Sequence, residues 1–279
     1  MPEGPEVRRE ADRIARVLTG EPAAEVWFAF EHLQAWSHCL RGEVIQGVES
    51  RGKAMLVRFA NGVNIYSHNQ LYGRWFVKPR GELPVTNRQL RLAVHTEKHS
   101  ALLYSASEIE VLSDEELDGH SFLKRLGPDV LSAQVRADDI EALLADTRFR
   151  RRSLGALLLD QGFVSGLGNY LRSEILFVAR LDPAQRPVDL GERARSELAT
   201  AISEITHRAY RLGGVTNDPD DARRLRGEGV PRREYRHYVF ARSGKRCRLC
   251  GEAIVKAVSA GRRIYTCPCC QSIGPSGSL

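Results

Sequence analysis

Four cysteines near the C-terminal end constrain this chain most. Cys247 and Cys250, then Cys267 and Cys270, form two CxxC pairs with 16 residues between them. Two such pairs at this distance supply the four thiolates of a tetrahedral Zn²⁺ centre. The intervening EAIVKAVSAGRRIYT reads as strand, glycine-centred turn and strand, so a zinc-bound β-hairpin is expected over 237–271. Four protein ligands close the coordination sphere, which makes the one zinc ion a structural cofactor. Cys269 lies inside the second pair and competes with Cys270 as a ligand, while Cys270 keeps the usual spacing. Cys39 is alone, and so uneven a distribution is unlike a secreted disulfide scaffold. At the turn of the hairpin, Arg262 and Arg263 are placed to project into a nucleic-acid groove.

The opposite end of the chain has a different character. In PEVRREADRIARVL (5–18), Val7, Ile14, Val17 and Leu18 recur at helical spacing. EVIQGVES, AMLVRFA and VNIYSHN then read as strands, with Asn61-Gly62 as a hairpin turn, and LRLAVHT and ALLYSAS add further strands. An α+β N-terminal domain is expected over 1–125, a helix with an antiparallel β-sandwich or barrel. Gly127-Pro128 interrupts regular structure, marking a linker at 126–137. Helical patterns follow in DIEALLAD, SLGALLLDQG, NYLRSEILFVARL and RARSELATAISEITHRAYRL, so 138–236 is expected to be a helical domain. Within it, GGVTNDPDDARRLRGEGVPRRE has little to bury and reads as a mobile loop. Residues 272–279 form a short polar tail.

Charge narrows the partners. Forty-one Lys+Arg against 35 Asp+Glu give a net charge of +6, and arginines cluster in RFRRR (148–152) and from Arg208 to Arg248. Clustered arginine suits phosphate recognition, and it also suits a solvated basic face. No apolar run approaches the ~20 residues a bilayer span requires. No basic-then-apolar leader opens the chain, so a cytoplasmic protein without a membrane partner is expected.

Four further stretches hold residues with chemical potential. In MPEGPEVRRE, a small second residue permits removal of Met1, which leaves Pro2 with a free secondary amine. An α-amine titrates near pH ~8, so a sizeable fraction is a nucleophile at working pH; the plainer reading is an ordinary soluble N-terminus. In SRGKAMLVRF, Lys53 stands where a turn enters an apolar strand and is held by its neighbours. In DQGFVSGLGNYLRSEIL, Gly166 and Gly168 flank Leu167, and Asn169 is a natural N-cap whose helix start offers bare N–H groups to a phosphate; taken alone, such a glycine-rich junction more often reads as a simple turn. SHNQLYGRW places Gln70, Leu71 and Tyr72 in a row, a trio able to wedge into a base stack or to pack in a core.

Together, PEGPE (2–6), RGK (51–53), GLGN (166–169) and the four-cysteine hairpin with its arginine resemble the formamidopyrimidine-DNA glycosylase/endonuclease VIII family. Within it, EVWFAF (25–30), YSHNQLYG (66–73), LYSASEIE (103–110) and LLLDQ (157–161) look like the endonuclease VIII branch. The resemblance spans 1–271 and weakens across 184–236. It implies an N-terminal helix with a β-sandwich, a helix–two-turns–helix domain and the zinc hairpin, with damaged double-stranded DNA in a cleft between domains. It implies base-excision repair by a monomeric bifunctional DNA glycosylase/AP lyase, nucleoid-associated in a bacterial-type cytoplasm. Pro2 would form a Schiff base at C1′, Glu3 would act as general acid/base, and Lys53 as second acid. Arg262 would grip the flanking phosphates and assist δ-elimination. Gln70, Leu71 and Tyr72 would fill the gap left by the extruded base, and Arg125 and Asn169 would contact phosphates. Glu6 and Glu174 would support. NQLYG favours oxidised pyrimidines as substrates; oxidised purines, or a non-catalytic DNA-binding relative, are the alternatives.

Overall fold

The computed structural model describes residues 2–271, which fall into two compact units, one within 1–125 and one within 126–279. The expectations for Met1 and for the tail 272–279 lie outside the described residues.

The first unit opens with α1 (Gly4–Leu18), in which Val7, Ala11, Ile14 and Leu18 form one buried stripe at alternating four- and three-residue steps. Pro5 sits in its first turn, where the missing N–H has no helical partner to lose. Then come β1 (Glu25–Phe28), α2 (Trp36–Leu40), β2 (Ile45–Arg51), β3 (Ala54–Phe59), β4 (Val63–His68), β5 (Arg74–Pro79), β6 (Leu90–His95), β7 (His99–Tyr104), β8 (Glu108–Ser113) and α3 (Asp114–Gly119). The strands make two antiparallel four-stranded sheets, ordered β1-β6-β7-β5 and β2-β3-β4-β8. Phe28, Ile45, Val57, Ile65, Leu92 and Leu103 join the α1 stripe in one core, so α1 is packed into the sandwich and not laid on its surface. The β3–β4 hairpin turns at Asn61-Gly62, with Gly62 at φ 78°, a conformation glycine adopts without strain.

The second unit contains α4 (Ala137–Ala145), α5 (Leu154–Leu157), α6 (Asn169–Val178), α7 (Glu192–Arg211), α8 (Pro219–Gly227), α9 (Arg232–Tyr235), β9 (Val255–Ser259) and β10 (Arg262–Thr266). Ile140, Leu157, Leu171, Ile175, Ile202 and Ile205 build its main core, and Ile264 of β10 inserts into it. The fold class is therefore α+β, a helix with an antiparallel sandwich and then helices with a four-cysteine hairpin.

Two local expectations are corrected. SLGALLLDQG is helical only over Leu154–Leu157, because the Asp160 carboxylate takes the Gly162 N–H (2.8 Å) and turns the chain. The polar stretch expected to be a loop folds into α8 and α9. Pro219 opens α8, and Asp218 caps it by accepting from the N–H groups of Asp220 (2.9 Å) and Asp221 (3.1 Å). Ion pairs Asp220–Arg223, Asp221–Arg224 and Arg224–Glu228 then run along it at helical spacing. Hydrophobic periodicity carried no signal here because α8 is held by caps and charge, not by an apolar face.

Candidate functional site

The head of α1 is fixed through Glu3. Its N–H donates to the Glu6 carboxylate (3.1 Å), while its carbonyl accepts from the Glu6 (3.0 Å) and Val7 (3.1 Å) N–H groups. Glu6 thus acts as the acidic half of a capping box, which is its structural role. Glu3 is buried at 3% exposure, and Pro2, one peptide earlier, is half-buried. The N-terminal dipeptide is consequently held on a rigid helix end.

Lys53 is buried at 7% exposure, directly after the β2–β3 turn, where Gly52 takes φ 60°. Its neighbour Ala54 pairs with His68 across the β3–β4 ladder. Burial lowers the His68 pKa below 6.5; the Glu108 carboxylate opposes that shift and the Lys53 ammonium reinforces it. A neutral imidazole fits its contact, because His68 Nδ1 accepts the Gln70 N–H at 3.1 Å.

Gln70, Leu71 and Tyr72 occupy the tight loop between β4 and β5. Leu71 and Tyr72 are 62% and 67% exposed, which removes the core alternative for both. Gln70 has φ 45°, an uncommon conformation for a residue with a side chain. Its amide holds it there: Nε2 donates to Glu108 Oε2 (2.7 Å) and Oε1 accepts from Ser107 Oγ (3.0 Å). The loop closes through the Gly73 N–H to the Asn69 carbonyl (2.7 Å). Asn69 Nδ2 in turn donates to Glu10 Oε2 at 3.0 Å, tying this loop to α1. Burial pushes the Glu10 pKa up from 4.5 to about 7, against the opposing pull of Arg13 and the Asn69 hydrogen bond. Arg125 is exposed at the end of this unit and donates Nε–H to the Ser121 carbonyl (2.9 Å).

In the second unit, Gln161 organises the two turns before α6, donating to the Leu159 (3.1 Å) and Leu167 (2.9 Å) carbonyls and accepting from the Gly166 N–H (3.1 Å). Asn169 is the first residue of α6, not its N-cap. The extended residue is Gly168, whose carbonyl accepts the Arg172 N–H (2.9 Å), and Asn169 Oδ1 instead accepts from Arg172 Nη2 (3.1 Å). Glu174 is fully buried and accepts the N–H groups of Tyr238, Val239 and Phe240, each at 2.8 Å. Thr216 Oγ1 donates to it at 2.5 Å; having one proton, that hydroxyl must accept from His237 Nδ1 (2.8 Å). Burial raises the Glu174 pKa and these four donors oppose the rise. Glu174 therefore anchors the segment leading into the hairpin.

The Sγ atoms of Cys247, Cys250, Cys267 and Cys270 all lie within 4.8 Å of one another. Cys247–Cys270 and Cys250–Cys267 separate by 3.9 and 3.4 Å. Four thiolates about 2.3 Å from a tetrahedral zinc would be roughly 3.8 Å apart, so the set fits such an ion. Cys269 is exposed and outside this group. Arg262 and Arg263 begin β10, exposed, directly after the Ala260-Gly261 turn. No helix among the described residues is long and apolar enough to cross a membrane.

Motif reading missed Glu10, His68, Glu108 and Arg172. Spacing carried a signal for two of them: Glu10 lies one turn after Glu6, and Arg172 three residues after Asn169. The partners of His68 and Glu108 come from strand register, which no local pattern states.

The first unit thus carries Pro2-Glu3 on a capped helix head, a buried lysine and an exposed loop, and the second unit carries a four-thiol hairpin. Residues 1–107 match the formamidopyrimidine-DNA glycosylase N-terminal domain, and 126–219 match the formamidopyrimidine-DNA glycosylase H2TH domain. The chain is 43% identical over 271 residues to Endonuclease 8 of Salmonella paratyphi A and to that of Salmonella agona, covering 97% of this chain and all of each relative. Its fold is similar to that of Lactococcus lactis formamidopyrimidine-DNA glycosylase bound to DNA containing an abasic site (TM-score 0.79, 21% identity, 97% and 99% of the two chains). It also resembles the same enzyme in complex with DNA containing N7-benzyl-Fapy-dG (TM-score 0.79, 22% identity, 97% and 100%). The chain belongs to the formamidopyrimidine-DNA glycosylase/endonuclease VIII family and is a bifunctional DNA glycosylase/AP lyase of base-excision repair. Within that family, its full-length similarity at 43% is to proteins named Endonuclease 8.

Proposed function

We propose that the chain removes oxidised pyrimidines of the thymine glycol and dihydrouracil type from double-stranded DNA, using Pro2 as nucleophile, and then cleaves the strand by β,δ-elimination. The observation that carries this reading is the head of α1, where Glu6 and the helix fix the Glu3 backbone from both sides beside Pro2. With Met1 removed, the Pro2 secondary amine attacks C1′ of the damaged nucleotide and the base leaves. The product is an iminium with no N–H to lose, so the positive nitrogen persists as an electron sink. That sink acidifies the C2′ proton; loss of this proton expels the 3′ phosphate oxygen, and δ-elimination releases the sugar remnant. Glu3 donates a proton to the sugar ring oxygen and afterwards serves as base. Lys53, buried at the β2–β3 turn, is the second acid, and Arg262 neutralises the departing phosphate. Asn169 and Arg125 contact backbone phosphates.

Extruding the target base costs a few kcal/mol of stacking and pairing. Leu71 and Tyr72, large and exposed on a braced loop, are suited to offset this by filling the vacated space, with Gln70 holding the loop's shape. The four cysteines hold one structural Zn²⁺, whose contribution is to fold the hairpin that carries Arg262. The test is strand cleavage on duplexes containing thymine glycol, dihydrouracil or 8-oxoguanine. Faster cutting at the two pyrimidine lesions, leaving phosphate at both ends of a one-nucleotide gap, is expected. Preference for 8-oxoguanine would transfer the chain to the purine reading, and cutting that stops at β-elimination would remove δ-elimination.

A further inference from the structure

Helix α6 carries three consecutive buried polar residues, Arg172, Ser173 and Glu174, all at 0% exposure. Each reaches a different part of the hairpin segment. Glu174 holds 238–240, Ser173 Oγ accepts the Tyr265 N–H at 3.3 Å, and Arg172 takes the turn. Arg172 Nη1 donates to the carbonyls of Gly155 (2.7 Å) and Ser259 (3.1 Å). Its Nη2 donates to Asn169 Oδ1 (3.1 Å) and to the carbonyls of Arg262 (3.3 Å) and Arg263 (3.0 Å). Four N–H hydrogens thus meet five oxygens, drawn from α5, α6 and both strands of the hairpin.

We propose that Arg172 is a positioning residue for the phosphate clamp, fixing the Asn169 amide and the 259–263 turn in one arrangement. The inference rests on the assignment of Asn169 and Arg262 to phosphates made above. A guanidinium only donates, so the Asn169 amide must present its oxygen to Arg172. Its two N–H donors are thereby turned away from the guanidinium, which gives the amide the polarity an anion requires. On the hairpin, the carbonyls of Ser259, Arg262 and Arg263 are drawn inward, so the exposed Arg262 side chain stands on a backbone that cannot rotate freely. Close approach is part of the device: a Cβ on Gly155 would lie 2.6 Å from Ser259 Oγ and 3.2 Å from the Pro183 carbonyl. Lysine cannot replace the fork, since one nitrogen with three donors does not span five acceptors on three segments.

The experiment measures binding of the full-length zinc-loaded protein to a duplex containing tetrahydrofuran as a stable abasic analogue. The proteins are wild type, Arg172→Lys, Arg172→Met, Asn169→Ala, Arg262→Ala and the Asn169→Ala/Arg262→Ala pair with and without Arg172→Met. Zinc content and melting temperature are recorded for each. Arg172→Met, or Arg172→Lys should the apolar variant not fold, is expected to weaken binding about 10- to 100-fold with zinc retained. The slope of log K against log salt is expected to fall by about 1, as for a lost phosphate contact. In the Asn169→Ala/Arg262→Ala background, Arg172→Met is expected to add less than about twofold. Unchanged binding by a folded, zinc-loaded Arg172 variant overturns the proposal, as does a full penalty in that background. Wild-type binding by Asn169→Ala and Arg262→Ala themselves would instead overturn the phosphate assignments on which it rests.

Discussion

At the residue scale, burial sets a few charged side chains apart from the rest. Glu3 and Lys53 are charged types almost hidden from solvent, an uncommon placement for either unless it serves a site or a partner. Glu10 shows the cost of such placement. Its carboxyl titrates near 7 because burial disfavours its charge. From pH 4.5 to about 7 the folded chain keeps that proton while the unfolded chain has lost it, so stability falls as pH rises through this window. Glu10→Gln keeps an acceptor for Asn69 and removes the titration. Its melting temperature is expected to equal wild type near pH 5 and to exceed it above pH 7, by up to about 3 kcal/mol of stability. Parallel melting curves at both pH values would show that Glu10 is not strained by its charge.

At the element scale, loops here are shaped by side-chain brackets. The Asn69–Gly73 loop is held by Gln70 on Glu108 and Ser107, by Asn69 on Glu10, and by its own closing N–H···O bond. A Cβ at Gly73 would sit 2.6 Å from Asn69 Cα and 2.7 Å from its carbonyl oxygen, both backbone atoms unable to step aside. Gly73→Ala is therefore expected to displace Leu71 and Tyr72, weaken binding to lesion duplex at least tenfold and cost about 1–3 kcal/mol of stability. Unaltered lesion binding in a thermal-shift-normal variant would separate the loop from recognition. Much at this scale was legible in the chain. The α1 stripe, the β3–β4 hairpin at Asn61-Gly62 and the cysteine hairpin each state their period or spacing locally. Helix α8 was not legible, because its apolar face is almost absent and its capping aspartate lies among other acids. The identity of the α6 N-cap was also missed, since Asn169 has the favoured chemistry while Gly168 takes the extended backbone.

At the scale of the whole molecule, the second unit depends on its hairpin. Ile264 inserts into the helical core, and Phe177, Val239, Ile254 and Tyr265 pack around Cys247 and Cys267. A metal would tie together four thiols that stand 3.9 Å (Cys247–Cys270) and 3.4 Å (Cys250–Cys267) apart. Chelation at neutral pH is expected to release one zinc per chain, lower the melting temperature by several degrees and abolish binding to abasic duplex; Cys250→Ser should do the same. A chelated protein that still binds as wild type would show the hairpin dispensable for DNA contact. The candidate residues themselves were named from sequence motifs, but the groups that hold them were not. Glu6 on Glu3, Glu108 on Gln70 and Arg172 on Asn169 each depend on which atoms folding brings within about 3 Å.

The claim that Pro2 is the nucleophile is tested most directly by borohydride reduction during reaction with a thymine glycol duplex, followed by mapping of the cross-link. The account predicts a covalent protein–DNA adduct at Pro2, formed only by protein lacking Met1 and absent from Pro2→Gly. An adduct on a lysine, or none from zinc-loaded protein with a free Pro2 that nonetheless cuts the strand, would contradict it.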